Sequence, residues 1–246
     1  MILYAFIAVL CVSALSLLGA VFFVVRRDVL NRFMPVLLSI SSGVLLGTVF
    51  FDLLPEAMEV LPHEAYFYTV MSIAVFFSIE KLMNWHHHAD CEQEDTHHHL
   101  HTLGYLSLIG DGIHNFIDGI MIGGAFLVSI PLGISMTIGV VAHEIPHELA
   151  DFMILLQAGF SNKKALFYNF LSALTAVVGA MLAILLVGHT GKLASYLIPI
   201  GAGNFLYIAM SDLIPELHKE TSRWYSLFQI LGLVAGIIAM ALFAAE

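Results

Sequence analysis

Charge is what this sequence has least of. Only 11% of its 246 residues are Asp, Glu, Lys or Arg, against 59% hydrophobic. A soluble domain of this length needs about 25% charged residues to cover its surface, so the shortage excludes one and the chain reads as an integral membrane protein. Basic residues are scarcer still. Nine Lys and Arg against nineteen Asp and Glu leave a net charge of −10, which argues against nucleic acid or acidic lipid as a partner. The two cysteines, Cys11 in an apolar run and Cys91 in a polar one, supply no disulfide framework. The run from Met1 to Val25 has no positive n-region and is followed by Arg26 and Arg27, so it is expected to be a retained anchor. No G-x-x-x-x-G-K-[ST] phosphate loop is present, so any transport would be passive or ion-coupled.

What is present is long apolar runs. A bilayer core needs about 20 mostly apolar residues per helix. On that rule the chain divides into eight spans, at 2–25, 33–54, 65–84, 104–128, 131–157, 164–187, 193–214 and 224–244. The expected fold is therefore all-α, a single polytopic domain over 1–246, in contact with lipid throughout. Basic residues favour the cytoplasmic side. With both termini outside, Arg26, Arg27, Arg32, Lys81, Lys163, Lys164, Lys219 and Arg223 all fall on that side, and only Lys192 does not.

Against this apolar background two stretches stand out: "GDGIHNFIDGIMIGG" (110–124) in span 4 and "GVVAHEIPHELADFMI" (139–154) in span 5. At helical pitch, Asp111, His114, Asn115 and Asp118 occupy about 100° of one face. His143, Glu144, His147, Glu148 and Asp151 occupy about 140° of another. His114 to Asp118 and His143 to Glu148 fall near the middle of their spans. Pro146 withholds a backbone N–H and frees the carbonyl of Ala142, inviting a kink, and broken helices with polar groups at midplane mark transporter binding sites. Burying Asp118, Glu144 and Glu148 at the bilayer centre would cost on the order of 8–10 kcal/mol by insertion scales. Interhelical hydrogen bonds return only about 0.6–2 kcal/mol each, so structural glue does not balance unless the groups are hydrated or bind a cation. Imidazole with carboxylate suits zinc, iron, manganese and nickel. The i, i+4 pairs His114/Asp118 and His143/His147 each offer two ligands from one face. No thiolate joins them, which argues against copper(I).

"HEIPH" is also H-E-x-x-H, the zinc-protease helix motif, with the glutamate as general base. An intramembrane zinc metalloprotease is thus the alternative. The proline inside the motif and the position of Asp118 before it count against that reading.

At "HNFIDG" and "HEIPHELADF" the chain resembles the ZIP family of divalent metal-ion (zinc/iron) transporters, nearest the histidine-loop subfamily. "YNFLSALTAVVGA" (168–180) and "GNFLYIAMSDLIPEL" (203–217) extend the likeness. The resemblance implies a transporter rather than an enzyme. It would carry zinc into the cytoplasm as substrate, with iron, manganese and cadmium as further candidates and no organic cofactor. It also implies alternating access by one helix bundle sliding against another, within a homodimer. Carried over by motif, His114, Asp118, His143 and His147 would form a primary site. Asn115, Asp118, Glu144 and His147 would form an adjacent one, helped by Asn169. Asp111 and Asp151, on the cytoplasmic side, would assist release; Glu148 joins the candidate pathway. A compact chain hints at a prokaryotic plasma (inner) membrane.

"WHHHADCEQEDTHHHLH" (85–101) holds His86, His87, His88, His97, His98, His99 and His101. Its composition cannot form a packed core, so residues 85–103 are expected to be a mobile cytoplasmic loop that collects metal. Finally, "FFDLLPE" (50–56) and "MSDLIPE" (210–216) share D-L-x-P-E at an offset of 160, which Gly43 and Gly203 keep. Spans 1–3 and 6–8 are thus expected to be inverted copies around spans 4 and 5. Asp52 and Glu56 would lie at the outer mouth, Asp212 and Glu216 at the inner, each proline ending its helix beside an acid.

Overall fold

The computed structural model describes residues 1–25, 27–89, 96–187, 192–219 and 223–245, and all regular structure among them is helical. In chain order the helices are α1 (Ile2–Val25), α2 (Arg27–Thr48), α3 (Leu54–Val60), α4 (Ala65–Ala89), α5 (Thr96–Val128) and α6 (Ile130–Gln157). There follow α7 (Asn162–Ala173), α8 (Thr175–Val187), α9 (Lys192–Tyr207), α10 (Ile214–Leu217) and α11 (Arg223–Ala244). Wide π-helical turns join α2 to α3 (Val49–Leu53) and α9 to α10 (Ile208–Leu213).

Among the described residues, five stretches are long and apolar enough to cross a bilayer: Phe33–Val60, Ala65–Leu82, Asn162–Leu186, Ser195–Leu217 and Arg223–Ala244. Helices α5 and α6 are not among them, because they carry the acids of the polar cluster, although at 1.5 Å per residue their 33 and 28 residues exceed a bilayer core. Phe67, Val70, Phe167, Leu185, Ile230 and Leu242 are exposed. So much outward apolar surface suits lipid rather than water.

Pro55 and Pro215 do not end their helices, as the sequence leads one to expect. Each sits at the first turn of a helix that continues the one before, directly after a π turn. A proline ring lacks an N–H and presses on the carbonyl four residues back. The wide turn relieves that clash by inserting a residue, and the chain runs on to Val60 and Leu217. Within the stretch 85–103, α4 runs to Ala89 and α5 begins at Thr96. Residues 90–95, with Cys91, lie outside the described residues, as do the side chains of the seven histidines flanking them.

Helices that share a bilayer associate by close packing of small residues, and the most extensive contacts here fall into two groups, with α2 on α6 and α5 on α9 joining them. In one, α2 lies along α11 and α9 along α4. Gly43 meets the Leu233 carbonyl so closely that a Cβ there would stand 2.1 Å from its oxygen, and Gly203 meets Thr69 O at 2.4 Å in the same sense. Ser72 Oγ donates to Ile200 O at 2.7 Å across the second pair. In the other group, α5 lies along α8 and α6, and α1 along α6. Ser13 Oγ donates to Ala173 O at 2.9 Å, tying α1 to α7. The reversal from α5 into α6 is set by Ser129, whose side chain caps the helix by accepting from Leu132 N at 3.2 Å.

Candidate metal centre

Because α5 and α6 run side by side, their polar faces meet. His143 Nδ1 lies 3.0 Å from Gly139 O, one turn back. Donating there leaves the Nε2 lone pair facing α5. That Nε2 stands 2.9 Å from Asp118 Oδ2, 3.0 Å from His114 Nε2 and 3.6 Å from Glu144 Oε1. His114 Nε2 in turn is 3.3 Å from Glu144 Oε1 and 3.6 Å from Asp118 Oδ2. One ligand atom from each of His114, Asp118, His143 and Glu144 thus falls within 4.8 Å of the others, a spacing that a tetrahedral ion with bonds of about 2.0–2.2 Å can close. His143, Asp118 and Glu144 are 0%, 1% and 2% exposed. Neither Glu144 oxygen has a formed hydrogen bond despite that burial. Buried acceptors without donors are costly, and a cation between the imidazoles and carboxylates would satisfy them.

The freed carbonyl of Ala142 does appear, and it is not left bare. Ser41 Oγ on α2 donates to it at 2.5 Å. Asn204 on α9 lies against the centre from the other side, its Nδ2 3.4 Å from Asp118 Oδ1, a long hydrogen bond.

His147 takes a different place from the other three motif positions. Its ring stacks on His114, centroids 4.8 Å apart at 3°, and its Nδ1 reaches Asp151 Oδ2 at 2.9 Å. It groups with Asp111 and Asp151 rather than with the four above. Asn115 does not turn to the four either; its amide donates to Asp111 Oδ1 at 2.8 Å. Glu148 is fully buried and accepts from Asn169 Nδ2. Asp52 is half-buried on the first π turn and Asp212 is exposed on the second. A cavity of about 360 Å³ runs from Asp212, Glu80 and Tyr207 inward to Asp111, His114, His147, Asp151 and Asn204. Among the described residues lining it, none is Lys or Arg.

Ser41, Asn204, Ser107 and Ser172 are absent from the set expected of the sequence. Asn204 had a signal, a lone amide near the middle of an apolar span. The serines had none, since hydroxyls are common in such helices.

The model of the ZIP zinc transporter family matches residues 1–103 and 86–244. Zinc transporter ZIP13 of Pongo abelii is 36% identical over 224 residues, which is 85% of this chain and 66% of that protein. Zinc transporter SLC39A7 of Homo sapiens is 40% identical over 162 residues, covering 63% of this chain and 34% of its own length. Metal cation symporter ZIP14 of Xenopus tropicalis is 42% identical over 149 residues, 57% of this chain and 32% of its own. The chain therefore spans about two thirds of the first and about a third of the others. All three organisms are animals, and nothing among them supports a prokaryotic membrane. With its apolar helices and a match along nearly all of its length, the chain is an integral membrane protein that belongs to the ZIP zinc transporter family.

Proposed function

We propose that this protein carries zinc across its membrane into the cytoplasm, binding the ion at His114, Asp118, His143 and Glu144 near the bilayer midplane. The convergence of those four side chains in a buried site carries the reading. Two neutral imidazoles and two carboxylates leave the ligand set neutral with a bound divalent ion, so the ion can shed water there without a net buried charge. Iron, manganese and cadmium, served by the same donor types, are competing substrates.

Eight spans and an inverted repeat fit the packing. Both D-L-x-P-E segments form a π turn followed by a proline-led helix. The offset of 160 also carries the α2–α11 contact onto α9–α4, with Gly43 and Gly203 at the two closest points. Exchanging the copies turns α1 on α6 into α8 on α5. The two groups of packed helices are the bundles that slide, and the cavity reaching His114 and His147 marks a state open toward Asp111, Asp151 and Asp212. The basic-residue asymmetry assigns that end to the cytoplasm. A homodimer remains part of this reading through the family resemblance. The protease reading finds no support, since the relatives carry transporter names and Glu144 faces the two imidazoles as a ligand would.

Reconstituted vesicles loaded with a zinc-sensitive dye test the proposal. Uptake should saturate, and competing iron, manganese and cadmium should slow it. A membrane-embedded peptide added beside it should stay intact. Peptide cleavage without uptake would overturn the assignment.

A further inference from the structure

We propose that Asn204 is the end stop of the sliding motion, the residue that halts the bundle carrying α5 and α6 at its inward position against α9. The inference rests on the reading of the two packed groups as bundles that move past each other during zinc transport. Helix α9 runs antiparallel to α5, and three contacts give the register between them. A Cβ added at Gly124 would stand 3.2 Å from Leu197 Cβ, and one added at Gly201 would stand 3.3 Å from Met121 Sδ. Between the same two helices Asn204 Nδ2 reaches Asp118 Oδ1 at 3.4 Å.

Asn204 is 1% exposed, and its buried neighbours on α9, Ile198, Ala202, Phe205 and Ile208, are apolar. Apolar contact is non-directional, so those surfaces alone set little preference for register. A buried amide does set one, because it is satisfied only where an acceptor faces it. The polar face of α5 offers acceptors at one-turn intervals, at Asp111, His114 and Asp118. Then it ends. Met121, Ile122 and Ala125 follow, all buried and apolar, so Asp118 is the last side-chain partner that α5 presents. Outward movement of the bundle by one turn, about 5.4 Å, brings the level of His114 opposite Asn204. Inward movement past the present register sets the amide against side chains that accept nothing.

The carboxylate of Asp118 divides its two oxygens between the bundles. Oδ2 faces His143 Nε2 at 2.9 Å, while Oδ1 faces Asn204. The amide thus holds the oxygen that the four-ligand centre leaves over, and its loss should spare ion binding. A hydrogen bond to a carboxylate is stronger than one to a neutral imidazole, so the amide favours the inward register over the outward one. Phe205, next along the chain, marks the same level on α6. Its ring lies 5.6 Å from that of His143, and a Cβ at Gly139 would stand 2.4 Å from its Cε2.

Paired cysteines in an otherwise cysteine-free full-length chain, held in lipid nanodiscs and oxidised with diamide, read the register. Gly124→Cys/Leu197→Cys joins at the present register, where the Cβ spacing is close to that of a disulfide. Val128→Cys/Leu197→Cys joins only when the bundle travels a further turn inward. With Asn204 in place the first pair should crosslink and the second should not. Equal crosslinking of both would overturn the stop, with no change needed at position 204. Adding Asn204→Leu should slow the first crosslink about three- to fifteenfold, the range that interhelical hydrogen bonds in bilayers span, and should make the second appear. Cd²⁺ affinity should stay unchanged, and Asn204→Gln, which keeps a donor, should restore the first crosslink. Crosslinking indifferent to Asn204→Leu would overturn the stop, and so would lost Cd²⁺ binding, which would make Asn204 part of the metal centre. Saturable zinc uptake by wild-type vesicles is measured in parallel. Its absence would sink the transport reading, whereas crosslinks indifferent to position 204 with uptake intact would sink the stop alone.

Discussion

Replacing Ser41 and Pro146, singly and together, measures whether the break in α6 is held from outside that helix. Pro146 has no N–H to give the Ala142 carbonyl. The Ser41 hydroxyl on α2 donates to it instead at 2.5 Å, sharing its proton with Leu37 O at 2.9 Å. Interhelical hydrogen bonds in bilayers average about 0.6 kcal/mol and reach about 1.7 kcal/mol. Sharing the proton lowers the value here, while the N–H that Pro146 cannot give raises it, so Ser41→Ala should cost about 1–1.5 kcal/mol. In a Pro146→Ala background the new N–H at position 146 restores the intrahelical bond. Ser41 then becomes redundant, and its removal should cost about 0.3 kcal/mol or less. The coupling is about 1 kcal/mol, or about fivefold in an equilibrium constant. Reversible unfolding of the four proteins in mixed dodecylmaltoside–SDS micelles reads it directly. Equal costs of Ser41→Ala in both backgrounds would refute the argument.

Gly119→Ala should destabilise the protein by about 1–3 kcal/mol, because its Cβ would stand 1.9 Å from Ala176 O. Gly112→Ala, whose nearest neighbour would be 3.7 Å away, should be tolerated; the same unfolding assay compares them, and equal effects would discount close packing of α5 on α8. Deleting 86–101 should leave vesicle uptake measurable, and complete loss of uptake in a folded deletion would place the histidine-rich segment in the core of the transport path. In a cysteine-free background, an impermeant thiol reagent applied from outside should label Glu56→Cys and not Glu216→Cys. Labelling of both, or the reverse, would contradict the inverted repeat and the topology together.

The i, i+4 spacing of His114/Asp118 made the facing sides of α5 and α6 legible in the sequence, since both residues lie on one helix and 3.6 residues per turn fixes their neighbourhood. Pro146 likewise announced a bare carbonyl at Ala142. The donor that answers it, Ser41, lies 101 residues away, and no local period points to it. The orientation of His147 was hidden for a related reason. The i, i+4 spacing permits it to join His143 or to pair with Asp151, and stacking on His114 decides between them. D-L-x-P-E marked both π turns, yet proline alone reads as a helix end. Only the flanking apolar residues, which must stay helical to cross the membrane, turn that stop into a wide turn. Asn204 was legible as well: a mid-span amide needs a partner, and Asp118 is the acid it meets.

Zinc-anomalous diffraction from crystals of the full chain grown with zinc tests the central claim most directly. The account predicts a strong peak between α5 and α6, about 2.0–2.2 Å from ligand atoms of His114, Asp118, His143 and Glu144. Anomalous density confined to other positions, with those four side chains unliganded, would contradict it.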